Sequence, residues 1–193
     1  MSNKGLILVL SAPSGGGKTT LKDKLRKRMP YFRYSVSVTT RRLRKKEKNG
    51  RDYHFVSVKK FQDLIGEGKF IEWAEVHGNL YGTPKEFIEK NVAEGSDILL
   101  DIDVKGALQI KKHFPGAVLV FVAPPSPAVL EKRLKSRGTD TSDEVKRRLL
   151  RAVDEMSVAD DYDHIIVNES LDEAIEELEE IVKQRKKFGK LED

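Results

Sequence analysis

Lys18 and Thr19 follow three glycines, Gly15, Gly16 and Gly17, and that order of residue types suits one chemistry, the holding of phosphate. Glycines leave backbone N–H groups free to converge on one anion, and a helix beginning at Lys18 adds the positive end of its dipole. Lys18 then supplies a mobile charge for outer phosphates, and the Thr19 hydroxyl is placed to ligate magnesium. The expected cradle comprises Ala12, Pro13, Ser14, Gly15, Gly16, Gly17, Lys18, Thr19 and Thr20. It departs once from the pattern G-x-x-x-x-G-K-[ST], because Ala12 stands where the first glycine belongs. Alanine serves there if residue 12 keeps an ordinary negative φ.

A second anion site is expected beyond the stretch Ser37-Val-Thr-Thr40. Arg41 and Arg44 stand three apart there, in reach of one phosphate, and a guanidinium fork meets phosphate oxygens in pairs. Tyr53 and Tyr81 can each donate a hydroxyl to the same group, although a solvated basic loop is the alternative for residues 41–48. Glu72 lies between Ile71 and Trp73. A carboxylate accepts two parallel hydrogen bonds, and guanine offers such a pair in N1–H and its 2-amino group, whereas adenine does not. Ser37 and Thr83 can add hydroxyls to a base, and Thr83 serves equally well as a helix cap. Asp101 and Asp103 end an apolar run, where they suit a magnesium site, contact with an acceptor nucleotide, or simple exposure to water. Arg133, Arg137, Arg147, Arg148 and Arg151 flank Gly138, and some of them can fold over donor phosphates.

These groups need a scaffold that brings strand ends together. Leu6–Leu10, Ile98–Ile102 and Ala117–Val122 read as buried strands and His164–Val167 as a fourth strand of the sheet, and helices are expected at Lys18–Met29, about 105–113, from Ser126-Pro127 to Arg137-Gly138, from Thr141 to about Met156, and after Ser170. Parallel strands separated by helices, with chemistry at the strand ends, form a doubly wound α/β plan. Between the first helix and Gly95 the pattern changes. Tyr34 to Val38, Tyr53 to Val56 and Phe70 to Val76 read as short strands, the last turning at His77-Gly-Asn79. A helix capped by Ser57 and another opening at Thr83-Pro84 complete the stretch. The expected division is a core of about 1–33, 95–125 and 157–193, an inserted subdomain of about 34–94, and a helical lid of about 126–156.

The chain has 193 residues, enough for one domain with a substantial core, and a formal net charge of +5 that favours anionic partners. It contains no cysteine, which removes disulfides and thiolate metal sites and agrees with a reducing compartment. No run of eighteen apolar residues and no basic-then-apolar leader is present, so a cytoplasmic protein without a membrane span is expected. No nucleic-acid-binding motif occurs.

Taken together, the motifs resemble the guanylate kinase family along essentially the whole chain. Those that carry the resemblance are Ser11–Thr19, Ser37–Arg44, Gly50–Phe55, Phe70–Ala74, Tyr81–Thr83, Ile98–Asp103, Ser136–Thr139 and Ile166–Asn168. The resemblance implies a P-loop kinase core with an inserted GMP-binding subdomain and a helical lid, transferring phosphoryl from ATP to GMP with Mg2+ as the metal. It implies that Ser37, Arg41, Arg44, Tyr53, Glu72, Tyr81 and Thr83 bind GMP, with Asp101 or Asp103 assisting. Lys18, Thr19, Arg137 and Arg148 would serve ATP and the moving phosphate, with Asn168 near the adenine and Lys18, Arg41, Arg137 and Arg148 carrying the transfer. ATP and GMP are thus the expected partners, with dGMP use and oligomeric state left open. Leu43 departs from the family, where a proline commonly precedes the second arginine.

Overall fold

The computed structural model describes residues 5–45, 47–136 and 142–188. In chain order these form β1 (Ile7–Ser11), α1 (Lys18–Arg28), β2 (Arg33–Tyr34), β3 (Val38–Thr39), β4 (His54–Phe55), α2 (Val58–Gly66), β5 (Phe70–Val76), β6 (Asn79–Pro84) and α3 (Lys85–Ala93). They continue with β7 (Ile98–Asp101), α4 (Val104–His113), β8 (Val118–Ala123), α5 (Pro127–Ser136), α6 (Ser142–Met156), a 3-10 turn at Ala159–Asp161, β9 (His164–Val167) and α7 (Leu171–Phe188). Arg137 and Thr141 lie outside the described residues, as does Lys46.

Five strands pair in parallel in the order β2-β7-β1-β8-β9. Such a sheet must be covered on both faces, which explains why β1, β7 and β8 are apolar almost throughout. On one face Leu8, Leu10, Val118, Val120 and Val122 pack with Leu21 and Leu25 of α1 and Ile175, Leu178 and Val182 of α7. Alternate residues, Ile7, Val9, Leu100, Leu119 and Phe121, pack on the other face with Ile88 of α3 and Ala107 and Ile110 of α4. The period-two alternation of a strand thus divides one apolar run between two cores.

A second sheet has the order β4-β3-β6-β5, with β3 and β4 parallel and β6 antiparallel to both its neighbours. Phe61 of α2 stacks on Phe70 of β5 at 4.6 Å. This sheet leans on the first through α4, where Gln109 donates to the Trp73 carbonyl at 3.1 Å.

Two expectations are corrected. Tyr34 to Val38 is not one strand: Arg33–Tyr34 pairs with β7 in the parallel sheet and Val38–Thr39 pairs with β4 and β6, so the chain passes between sheets at residues 35–37. Two-residue strands carry no periodicity, which hides the change. Thr83 does not cap α3 either. It continues β6, and α3 begins at Lys85 without a side-chain cap, because the Thr83 hydroxyl is engaged elsewhere.

Candidate active site

The strand ends and the loops behind them form one cleft, lined by Ala12–Gly15, Gly17–Thr20, Ser37, Arg44, Tyr53, Glu72, Tyr81, Asp101, Asp103, Arg148 and Glu155, among others. Its floor is the loop between β1 and α1. Gly15 and Gly17 have φ of 96° and 99°, which only glycine adopts readily, and a Cβ on Gly17 would meet the Asn168 amide nitrogen at 2.1 Å. Ala12 is not strained, since His77 is the one non-glycine residue with positive φ among the described residues. The loop is braced from behind. Asn168 donates to the Gly16 carbonyl at 2.9 Å, and Arg133 of α5 donates to the Asn168 carbonyl at 2.8 Å. Asn168 therefore shapes the phosphate loop, a role that sequence reasoning did not assign to it.

Lys18 lies at the first turn of α1. Its ammonium is 2.8 Å from Asp101 Oδ1 and donates to the Ile102 carbonyl at 2.7 Å. Burial works against this charge, but Asp101 together with Tyr53 and Asp103 outweighs it, so the Lys18 pKa lies above its ordinary value. Lys22, one turn along α1, approaches Asp101 Oδ2 at 3.8 Å, so a buried carboxylate is shared by two lysines. Asp103 has a different role. Its Oδ1 accepts from Lys105 N at 2.8 Å and Gly106 N at 3.3 Å, which caps α4. Thr19 and Thr20 are exposed on the cleft.

At the opposite wall, Arg41 places both terminal nitrogens on Glu47, at 2.7 and 3.0 Å, while Arg44 N donates to the same carboxylate at 2.8 Å. Burial works to raise the Glu47 pKa, yet the Arg41 fork and the Arg44 N–H hold it below its ordinary value. The Arg41 guanidinium also lies over Tyr53 at 5.3 Å, and Tyr53 meets Tyr81 edge-on at 5.9 Å. Burial and then Asp101 push the Tyr53 phenol to about 12, which keeps it a proton donor. Leu43 is half exposed.

Glu72 is 4% exposed on β5. Thr83 donates to its Oε1 at 2.5 Å. Its Oε2 lies against Gly106, where a Cβ would approach to 2.4 Å, so the glycine at the start of α4 leaves the carboxylate its seat. Burial raises the Glu72 pKa to about 7, with Thr83 opposing and Asp103 adding to the shift. Ser37 is buried at the passage between the sheets and lines the same cleft.

The fourth wall is α6. Arg148 and Glu155 line the cleft, and the Glu155 carboxylate accepts the Ser14 N–H of the phosphate loop at 3.2 Å. Burial raises the pKa of Glu155. Glu47, Lys22, Gly106 and Glu155 escaped sequence reasoning. Glu47 is the one acid in a basic run, and Glu155 recurs seven residues after Arg148 on one helix face, which are the signals each offered. Arg137 lies outside the described residues.

A family model described as guanylate kinase matches residues 4–185. This chain belongs to the guanylate kinase family. The guanylate kinase of Aromatoleum aromaticum is 49% identical over 179 residues, 93% of this chain and 88% of that one. That of Thermotoga maritima is 43% identical over 183 residues, 95% and 88% of the two chains. Among solved structures, guanylate kinase from Anaplasma phagocytophilum superposes with a TM-score of 0.79 at 37% identity, covering 95% of this chain and 87% of that one. A shikimate kinase from Bacteroides thetaiotaomicron reaches a TM-score of 0.54 at 15% identity, over 92% of this chain and 98% of its own, and shares the fold alone. The fold is that of guanylate kinase, a P-loop kinase fold with a parallel sheet. Among the described residues no helix is long and apolar enough to cross a membrane.

Proposed function

We propose that this guanylate kinase family member transfers the γ-phosphoryl group of ATP to GMP, giving ADP and GDP for purine nucleotide metabolism. The observation that carries the acceptor assignment is Glu72, a buried carboxylate lining the same cleft as Gly15 and Gly17 to Thr20, with Thr83 on one oxygen and Gly106 beside the other. An ionised Glu72 takes both N1–H and the 2-amino group of guanine, and adenine has no such pair to give. Ser37 adds a hydroxyl to the base. Arg41, Arg44, Tyr53 and Tyr81 hold the GMP phosphate, and residues 34–94 form the acceptor-binding part of the chain.

On the donor side, the loop amides of Gly15 and of Gly17 to Thr20 cradle the ATP phosphates with Lys18, and Arg148 on α6 neutralises charge on the moving group, with Arg137 assigned beside it and 126–156 serving as the lid. No general base is needed. The acceptor phosphate has a second pKa of about 6 and is mostly dianionic at neutral pH. Catalysis is then alignment plus charge neutralisation.

The donor set fits magnesium. Thr19 offers an exposed hydroxyl on the cleft, whereas Asp101 is engaged by Lys18 and Lys22, so Thr19 would hold the ion from the protein side and the substrate phosphates would supply most of its oxygens. That is the pattern of Mg2+ held jointly by substrate phosphates and a few protein oxygens. When bound, the ion would supply charge neutralisation for the transferring phosphate.

A coupled assay offering ATP with GMP, AMP, UMP or TMP in turn tests the assignment. GMP turnover should exceed the others by about a hundredfold or more, the discrimination expected where buried groups are left unpaired by the wrong base. Comparable rates with AMP would overturn it.

A further inference from the structure

The β5–β6 hairpin turns through His77 and Gly78, with φ of 53° and 72°, and Val76 pairs with Asn79 across it. Two successive left-handed residues define a type I′ turn, for which Asn-Gly and Gly-Gly are the favoured pairs. Histidine tolerates the left-handed region less well than glycine. A less suitable residue held in a strained position points to the work of its side chain.

That side chain meets α6. Arg151 Nη1 contacts His77 Nδ1, joining the lid helix to the tip of the second sheet. Arg148, Arg151 and Glu155 recur at intervals of three and four and so share one face of α6. Glu155 is fixed to Ser14 of the phosphate loop, and Arg151 to His77. The helix is fastened at two points, and Arg148 lies one turn from the second of them.

We propose that His77 is a positioning residue for the phosphoryl transfer: by accepting a hydrogen bond from Arg151 it seats α6 across the cleft and fixes where Arg148 meets the moving phosphate. The proposal rests on the ATP:GMP reading given above. The contact requires an unprotonated Nδ1, since an imidazolium would turn a second N–H and a second positive charge toward the guanidinium. The groups acting on the ring are Arg151 and Arg148 from α6 and Asp103 from the start of α4. Burial first, and then the two arginines, hold the imidazole pKa below its ordinary 6.5, with Asp103 opposing, so the contact survives at neutral pH and fails on acidification.

Two variants separate the turn from the contact. His77→Gly suits the type I′ turn but removes the acceptor, whereas His77→Asn tolerates positive φ and carries Oδ1 where Nδ1 stood. The glycine variant should melt no lower than the unaltered chain yet lose about fivefold in kcat, the scale of one exposed hydrogen bond, with both KM values moving less than about twofold. The asparagine variant should recover most of that loss, and its kcat should fall less steeply below pH 6.5 because its side chain does not titrate. A glycine variant as fast as the unaltered chain, or glycine and asparagine variants equally slow, would overturn the proposal. If the unaltered chain fails to phosphorylate GMP, the reaction assignment falls instead. The contact is then read by NMR titration of the His77 ring, which Arg151→Gln should shift upward; an unmoved titration refutes it.

Discussion

Replacing Glu72 with glutamine should weaken catalysis and strengthen the fold at once. In the variant, the Thr83 hydroxyl keeps an oxygen to donate to, but the atom beside Gly106 becomes an NH2 group facing two guanine donors. Two charge-assisted hydrogen bonds, each worth about 1.5–3 kcal/mol, are lost or inverted, so kcat/KM for GMP should fall by roughly two to three orders of magnitude. The ATP KM should stay within about twofold. Stability should move the other way. The folded protein raises the Glu72 pKa from 4.5 to about 7, so between those values it binds a proton that the unfolded chain has released. Stability therefore declines as pH rises through that interval, and above it the ionised carboxylate costs up to about 3 kcal/mol. Glutamine removes this penalty. At pH 8 the variant should melt roughly 6–12 °C higher, and near pH 4 the two proteins should melt together. Calorimetry across pH, with the coupled assay on the same preparations, measures both effects. Unchanged GMP turnover, or a variant that melts lower at pH 8, would refute the reasoning, the second by making Glu72 a structural group rather than a recognition group.

Gly106→Ala places a methyl 2.4 Å from Glu72 Oε2 and must displace the carboxylate. The GMP KM should rise about tenfold with the ATP KM nearly unchanged, and an unmoved GMP KM would show that the seat is not needed. Glu47→Ala releases the Arg41 fork and the Arg44 N–H together. If Glu47 orients Arg41, the GMP KM rises about fivefold; if it merely competes with the GMP phosphate, the KM falls, and steady-state titration of GMP decides.

The strand, glycine loop and helix at residues 7–28 were legible in the sequence because everything they need is local: an apolar strand, three glycines, Lys18, Thr19 and a helix with Leu21 and Leu25 inward follow one another without a gap. The doubly wound plan was legible for the same reason, β1, β7 and β8 being buried and largely apolar runs of four to six residues, while β9 at the sheet edge buries only Ile166 of its four residues. What escaped depends on contacts between distant segments. β2 is two residues long, and its pairing with β7 follows from the sheet rather than from Arg33 and Tyr34 themselves. Thr83 carried a cap signal and a base-contact signal together, and only the position of Glu72, eleven residues away, decides against the cap. Asp101 and Asp103 look interchangeable in sequence. One faces Lys18 while the other turns to the first amides of α4, because the strand ends between them.

The order of the parallel sheet bears on how the chain is made. β1 is synthesised first yet occupies the middle of the sheet, and its neighbours arrive late: Leu6 bonds to Asp97, ninety-one positions further on. At about 5–20 residues per second, Ile7–Leu10 leaves the ribosome with both edges bare and stays so for several seconds. Such an apolar, uncharged segment is prone to aggregate while its edges are unpaired, so a nascent chain stopped before β7 carries an exposed strand that the finished sheet hides.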